Sequence, residues 1–297
     1  MKFQDVKIIG THNGIFHADE VLAISMLSIF YDDNITVLRT RDPDVLKTCD
    51  ILVDIGGGDF DHHMYGGNGV RSNKTPYASA GLVWKNFGLE ILFKLNCPKA
   101  LATKVYSKVD ATIVEAVDKI DNGIETSSFF EFIPSFVPKW NEKFDAVDSK
   151  FNMAVNCTKT IFRELVLEII ATEKANTLLY NLLREKGETN ILQIPSQNIK
   201  WQESIILFNQ TANFPVDFVI FPYPNGGYAA QAVPKSLDNP FSKRIPFPNA
   251  WAGQTNKLPA ISGVKTAEFC HNNLFFARAQ TLNDVRKMCN LATSYVK

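Results

Sequence analysis

The sequence is poor in paired cysteines. Five cysteines are scattered over 297 residues, with no C-x-x-C pair among them. This spacing disfavours both a disulfide framework and a zinc-thiolate site. A reducing compartment fits the chain best.

Long apolar runs are also absent. Stretches such as 21–30 are much shorter than the roughly 20 residues that a membrane-spanning helix needs. The first residues lack the basic-then-apolar pattern of a signal peptide, and 1–10 is predicted to contain a strand rather than a targeting segment. We expect no membrane association and an intracellular location, cytoplasmic by default, with the nucleus and the mitochondrion left open.

An excess of charge of either sign is the third missing feature. Thirty-one basic residues balance 31 acidic residues. The chain therefore lacks the excess positive charge with which proteins bind duplex DNA and release its counterions. With 45% hydrophobic residues, it is long enough to bury a core in each of two domains.

The first part of the chain alternates short β-branched runs with longer helical patterns. Predicted strands cover 6–9, 35–40 and 51–55, and predicted helices cover 19–31, 80–95, 100–121 and 150–186. This alternation is typical of a parallel sheet with helices on its faces. We expect an α/β, doubly wound domain over residues 1–190.

The pattern changes in the polar segment 187–197, where we place the domain boundary. The runs 216–221 and 228–233 flank Asn225-Gly226-Gly227, which predicts a hairpin, and 268–271 with 274–279 predicts a second strand pair. A long irregular segment separates the two pairs, and a helix capped by Thr281 follows them. We expect residues 191–297 to form a smaller, mixed α+β domain.

Histidines and aspartates follow the predicted strands of the first domain. They are His12, His17 and Asp19 after the first strand, Asp54 at the end of the third, and Asp61-His62-His63 after a glycine turn. The carboxyl ends of parallel strands share one edge of a sheet, so we expect these side chains to converge. Each one alone is equally well explained as a core residue or a turn cap. Together, nitrogen and oxygen ligands without a thiolate predict a metal site.

These motifs resemble those of the DHH phosphoesterase superfamily, and most closely those of its melanocyte proliferating gene branch. The matching segments run nearly from end to end: THNGIFHADE (11–20), RTRDP (39–43), VDIGG (53–57), DHH (61–63), SAG (79–81), DKIDNG (118–123), AVPK (232–235), ISG (261–263) and FCH (269–271). In the superfamily, the first motif has an aspartate where His17 stands, with one residue inserted before it.

The resemblance implies a site for two divalent metal ions. His12, His17 and Asp54 would hold one ion, and the second would be held by Asp19, Asp54, His62 and a later carboxylate. Asp54 would bridge the two. The histidine at position 17 makes manganese the expected metal, with magnesium and zinc left open.

Two roles near this centre follow from the same resemblance. The later carboxylate is Asp118 or Asp121, which lie three residues apart on one face of a predicted helix end. His63 would face the substrate rather than a metal. Catalytic roles are expected for Asp54, His62 and His63.

Substrate-binding candidates lie in both domains. Arg39 and Arg41 flank the end of the second predicted strand, where either is equally well explained as a solvated strand-end residue. In the second domain, His271 and Arg278 bracket the last strand pair, and a guanidinium fork suits phosphate.

An aromatic segment could form a platform on which bases stack. Its members are Phe129, Phe130, Phe132, Phe136 and Trp140. Aromatic residues between helices more often pack a satellite core. Trp251 in the irregular loop has the same ambiguity, with somewhat greater exposure expected.

The residues themselves predict the chemistry, whereas the expected substrate follows only from the resemblance. Two cations about 3.5–4 Å apart activate water and neutralise charge on a phosphoryl group, so no side-chain nucleophile is needed. The sequence has neither a G-x-S-x-G elbow nor a P-loop. We expect a metal-dependent phosphodiester hydrolase with its site in a cleft between the domains. The resemblance implies 3′-to-5′ exonuclease activity on single-stranded RNA or short oligonucleotides.

Two alternatives stay open at this point. One is a small-phosphate hydrolase, a pyrophosphatase or a cyclic-dinucleotide esterase, and the other is a regulatory protein that binds metal without turnover. A site lined only by Arg, Lys and His would favour the small-phosphate enzyme, whereas aromatic faces near the metals would favour oligonucleotides. A homodimer is also left open.

Overall fold

The computed structural model describes residues 8–124, 129–142 and 146–296. It divides into two compact units, one up to Ala171 and one from Thr172. The division falls inside the long helix α6 (Val147–Glu185), whereas the boundary expected from the sequence lies at 190/191. The assignment of the two segments as catalytic and substrate-binding domains stays a prediction.

The first unit contains the predicted parallel sheet. Strand β1 (Ile8–Thr11) pairs in parallel with β2 (Thr36–Arg39) on one side and with β3 (Ile51–Leu52) on the other. The chain therefore returns twice to the amino end of the sheet, and the carboxyl ends of all three strands lie at one edge. Residues 6 and 7, at the start of the first predicted strand, lie outside the described residues.

Helices cover this sheet and account for most of the first unit. They are α1 (Ala18–Phe30), α2 (Pro43–Leu46), α3 (Ser79–Lys94), α4 (Lys99–Val109), a π-helical turn (Asp110–Val114), α5 (Glu115–Asp121), a 3-10 helix (Phe129–Phe136) and α6. Helix α1 is buried from Asp19 to Ser28 and packs against α3. A helix that is apolar on nearly every face belongs inside a core, which explains why α1 lacks a polar side.

The π-helical turn sets the direction of the side chains that follow it. In a regular helix, Asp110 and Asp118 would be about 80° apart around the axis, and one extra residue in a turn reduces this to about 20°. Both carboxylates consequently reach Arg71, at 2.7 Å from Asp110 Oδ1 to Nη2 and 2.7 Å from Asp118 Oδ2 to Nη1. Glu115 accepts hydrogen bonds from Asn73 and Thr75 in the same loop. The loop 71–75 and the π turn therefore hold each other in place.

The second unit is built on a mixed sheet of order β4-β5-β6-β8-β7. Its strands are β4 (Ile191–Gln193), β5 (Phe218–Pro222), β6 (Tyr228–Ala232), β7 (Ala267–Cys270) and β8 (Phe276–Ala279). The two predicted antiparallel pairs are present, β5 with β6 and β7 with β8. Strand β4 pairs in parallel with β5 and occupies part of the segment 187–197, in which the domain boundary was expected. A three-residue apolar run inside polar sequence is too short to identify this strand from its pattern.

Successive side chains of β5 point to opposite faces of the sheet, and each face carries an apolar core. Phe218 and Ile220 pack into one apolar cluster, and Val219 and Phe221 pack into the other. The remaining helices are α7 (Gln202–Asn209), α8 (Leu258–Ser262) and α9 (Leu282–Val296), of which α9 packs on the sheet. In the described part of the chain, no helix combines the length and the apolar character needed to cross a bilayer, the 39 residues of α6 included.

Trp251 is buried, although somewhat greater exposure was expected for it than for the aromatic segment. It lies in a short 3-10 helix (Asn249–Trp251), is 2% exposed and stacks on Phe247 with 6.1 Å between ring centroids. The irregular segment folds over the sheet and places these rings in its core, so Trp251 offers no platform for a ligand.

Gly81 is predicted to be essential for the packing of α3 against α5. A Cβ at this position would overlap the Asp118 carboxylate, which accepts a hydrogen bond from the Gly81 backbone N–H at 2.9 Å. Gly81→Ala should lower the free energy of unfolding by about 1–3 kcal/mol, the usual cost of overpacking. Urea denaturation measures this change. Gly58→Ala is the control, because its Cβ meets nothing within 4 Å; equal stability of the two variants would contradict the prediction.

Candidate metal centre

His12 is the first side chain beyond the end of β1, and it is buried between two carboxylates. Its Nε2 lies 3.1 Å from Glu20 Oε1 and 3.2 Å from Asp54 Oδ2, and the residue is 3% exposed. Glu20 is fully buried in the first turn of α1, where its carboxylate accepts hydrogen bonds from the His17 backbone N–H. The start of α1 thus directs a carboxylate back toward the end of β1.

Asp54 lies at the centre of the cluster because the chain turns sharply after β3. It has a left-handed φ of 60°, which is uncommon for a residue other than glycine. Its backbone N–H donates to Phe60 O, so the turn closes immediately. Asp54 Oδ2 faces His12, whereas Oδ1 lies 3.3 Å from His62 Nε2 and accepts a hydrogen bond from Ser79 Oγ. The two carboxylate oxygens therefore serve different imidazoles.

His62 brings the remaining carboxylates into the cluster. Its Nε2 lies 3.0 Å from Asp121 Oδ2 and 3.7 Å from Asp19 Oδ2. Asp19 is fully buried, and neither of its oxygens has a hydrogen-bond partner among the residues that the structure describes. A buried, unpaired carboxylate is costly unless a cation compensates it. A divalent metal ion fits this donor set.

Three sets of side chains lie close enough to share an ion, with ligand atoms within 4.8 Å of one another in each set. They are His12, His17, Glu20 and Asp54; Asp54, His62 and His63; and His17, Asp19 and Asp121. Glu20 was absent from the candidates chosen from the sequence. Its position three residues after His17 is typical of a capping residue, and the adjacent Asp19 was the only other signal.

The two exposed histidines of the cluster, His17 and His63, lie at its rim. His17 is exposed at the N-terminus of α1. The His63 side chain is 63% exposed, and its Nδ1 lies 2.9 Å from Asp61 Oδ1. Asp61 also accepts hydrogen bonds from the backbone N–H groups of Gly57 and His63. Asp61 therefore organises the loop and orients His63.

Asp118 lies outside this cluster, unlike Asp121, the other candidate for the later carboxylate. Its carboxylate is buried against Arg71 and the backbone of Gly81. Asp121, three residues later, lies against His62. Burial raises the pKa of Asp118 to about 7, although the Arg71 guanidinium opposes that shift. Asp118 therefore acts in the contact between α5 and α3.

The electrostatics of the cluster favour bound cations. Burial lowers the pKa of the His12 and His62 imidazoles, but the neighbouring carboxylates raise it by more. Asp54 and Glu20 raise the pKa of His12 to about 10, and Asp121 and Asp54 raise the pKa of His62 to about 10. Burial raises the pKa of Asp19 well above its usual range, and its carboxylate neighbours raise it further. The pKa of Asp54 is held low by His12 and His62 against the effect of its burial.

Of the two candidate arginines that flank the end of the second predicted strand, Arg41 is exposed and Arg39 is not. The Arg39 side chain is 4% exposed, and its guanidinium contacts Asp148 at 2.7 Å and donates to Gly14 O at 2.7 Å. It also lies over the Phe151 ring. These contacts occupy the fork of Arg39 and make it a structural link between the 13–15 loop and α6.

The second-unit candidates are Arg278 on β8 and His271 in the turn between β7 and β8. Arg278 contacts Glu268 at 3.0 Å and lies 4.0 Å above the Tyr223 ring, with 20% of its side chain exposed. His271 accepts a hydrogen bond from the Asn273 backbone N–H. Their roles in substrate binding stay predictions.

Comparison with known proteins identifies several similar chains. Residues 8–293 match the family described as MYG1_exonuc, Uncharacterised protein family (UPF0160). The MYG1 protein C694.04c of Schizosaccharomyces pombe is 31% identical over 97% of this chain and 97% of its own length. The MYG1 exonucleases of Mus musculus and Homo sapiens are each 28% identical over 92% of this chain, and over 81% and 82% of their own lengths.

A solved structure of RecJ in complex with Mn2+ from Thermus thermophilus also aligns. The alignment covers 97% of this chain and 52% of that chain at 13% identity, with a TM-score of 0.26. A likeness at this score carries no argument about function.

Asp121 and Asp118 are predicted to respond differently to neutralisation. Asp121→Asn should weaken Mn2+ binding at least about tenfold, because an oxygen of the cluster loses its charge. Asp118→Asn should keep metal binding and lower the free energy of unfolding by about 1–3 kcal/mol, because Arg71 loses a buried partner. Calorimetric Mn2+ titration and urea denaturation of both variants measure the two effects. Loss of metal from Asp118→Asn alone would reverse the assignment.

Metal affinity is predicted to increase with pH. With the pKa values of His12 and His62 at about 10, both imidazoles hold a proton near pH 7 in protein stripped of metal, whereas a histidine with a pKa of about 6.5 is mostly neutral. Metal ligation requires the neutral ring, so Mn2+ binding should tighten from about pH 6.5 to 8.5 and release up to two protons. Calorimetry in two buffers of different ionisation enthalpy counts these protons. Binding without proton release would contradict the prediction.

Proposed function

Because the chain belongs to the MYG1_exonuc family (UPF0160), we propose that it is a metal-dependent phosphoesterase that acts as a 3′-to-5′ exonuclease on single-stranded RNA. Several of its relatives, those of Mus musculus and Homo sapiens among them, bear the name MYG1 exonuclease. The observation that carries the proposal is the shared carboxylate of Asp54, whose two oxygens face the imidazoles of His12 and His62.

Two divalent ions, manganese by preference, are the proposed cofactors. The side chains His12, His17, Glu20 and Asp54 would hold one, and Asp19, Asp54, His62 and Asp121 the other. Bound there, the ions would activate water and neutralise charge on the attacked phosphoryl group. Three imidazoles among these ligands make the centre less suited to magnesium, which prefers oxygen ligands, than to manganese or zinc.

The chain's own residues supply orientation around this centre. Asp61 holds the His63 ring through Nδ1, and His63 remains 63% exposed beside Asp54. A ring fixed in this way is suited to contact a phosphate oxygen or to deliver a proton to the leaving oxygen. Ser79 donates to Asp54 Oδ1 and orients its carboxylate.

Further parts of the proposal concern substrate binding and context. Arg41 is exposed after β2 and is free to contact a phosphate, while His271 and Arg278 are proposed to contact RNA from the second unit. Arg39 is a weaker candidate because its guanidinium already has protein partners. An intracellular, cytoplasmic location and a homodimer are proposals of the same kind.

A substrate panel tests the proposed activity. With Mn2+, the protein should shorten labelled single-stranded RNA from its 3′ end and should act more slowly on single-stranded DNA, pyrophosphate and cyclic dinucleotides. Asp54→Asn should abolish turnover and remove both ions together, because one carboxylate serves both positions. Asp59→Asn, an exposed neighbour in the same loop, should leave both unchanged. Cleavage of pyrophosphate in preference to RNA would favour a small-phosphate hydrolase, and metal binding without turnover on any substrate would favour a regulatory protein.

A further inference from the structure

A cavity of about 380 Å³ adjoins the candidate metal centre within the first unit. Two of its lining residues, His17 and Asp121, belong to a set with ligand atoms within 4.8 Å of one another. Its volume falls in the range of about 300–1,000 Å³ found for small-molecule sites. Any group in this cavity would therefore lie beside the reacting phosphate.

Apolar side chains form most of the wall of this cavity. Among the described residues, the apolar lining consists of Ala18, Val117, Ile120, Phe130 and Pro134. Phe130 is 1% exposed and lies behind this wall, whereas Ile120 is half-buried and Pro134 is exposed. Such a wall suits a flat group with apolar faces, because burying those faces against side chains is favourable.

The polar groups of the cavity argue against a second phosphate. Asp121 and Glu131 contribute carboxylates, and no Arg or Lys occurs among the described lining residues. A phosphate in the cavity would face these carboxylates, and the one basic side chain among the described lining residues is His17, itself a proposed metal ligand. A nucleobase carries no charge and presents N–H groups at its edge, which carboxylates accept.

We propose that this cavity is the subsite for the nucleobase of the nucleotide whose phosphate is cleaved, with Ile120 and Pro134 forming its walls. The proposal rests on the proposed function and adds to it a means of preferring nucleotides over small phosphates. The interacting surfaces are base faces, so the subsite should accept several bases, because apolar contact is sequence-tolerant.

The test compares two esters that release the same p-nitrophenolate. Thymidine 5′-(p-nitrophenyl phosphate) carries a base, and methyl p-nitrophenyl phosphate does not. The wild-type protein with Mn2+ should prefer the nucleotide ester in kcat/KM. Ile120→Trp, which fills the half-buried side of the cavity, should reduce that preference at least about tenfold. Leu89→Trp, on an exposed position of α3, is the matched control and should keep the preference.

A second variant guards against misfolding. Ile120→Ala removes a wall without adding bulk, and it should reduce the preference for the nucleotide ester about threefold or more, with Mn2+ binding unchanged. An unchanged preference in both Ile120 variants would overturn the subsite. Equal losses on both esters would also overturn it, because the substitution would then act on the metal centre.

Binding measurements distinguish a failure of the proposed subsite from a failure of the proposed activity. If the protein hydrolyses neither ester, the proposed activity fails, but calorimetry of the Mn2+-loaded protein still measures thymidine 5′-monophosphate against methyl phosphate. Tighter binding of the nucleotide, weakened by Ile120→Trp and not by Leu89→Trp, would support the subsite without turnover. Equal affinity for the two phosphates would overturn it.

Discussion

The first unit depends on holding several carboxylates close together in a buried place. Asp19, Glu20 and Asp54 are buried, and Asp121 joins them through His62. Their mutual repulsion has to be offset by positive charge, whether from protonated imidazoles or from divalent ions. The parallel sheet makes the arrangement feasible because it brings three strand ends to one edge, and the rigid starts of α1 and the 54–63 loop then fix the carboxylates there.

The convergence of the strand-end residues could be predicted from sequence because it follows from parallel topology alone. His12, Asp19, Asp54 and His62 meet for this reason. Glu20 could not be identified in the same way, since its position in the first turn of a helix is equally typical of a cap, and in the structure it performs both roles. Because a helix cap and a metal ligand can be the same residue, the sequence pattern around Glu20 does not distinguish the two roles.

The choice between Asp118 and Asp121 needed information that the local sequence does not contain. Both follow an amphipathic helical pattern, and the π turn that rotates them has no residue signature. The protein partners of Arg39 could not be predicted for a related reason. Strand-end position indicated an open edge, but Asp148 comes from a helix more than a hundred residues later, and no local pattern predicts such a partner. Tertiary contacts decided both cases.

The π turn at Asp110–Val114 also has a consequence for how this segment can change in length. Losing one residue there would restore a regular helix without turning the part that follows, because seven residues of regular helix leave Asp110 and Asp118 about 20° apart, as the present eight do. Asp118 would still face Arg71 and Gly81, and Asp121 would still face His62. Losing the π turn at the present length would instead open that angle to about 80° and turn both carboxylates away from their partners. A homologous chain that is one residue shorter here can therefore keep the same contacts.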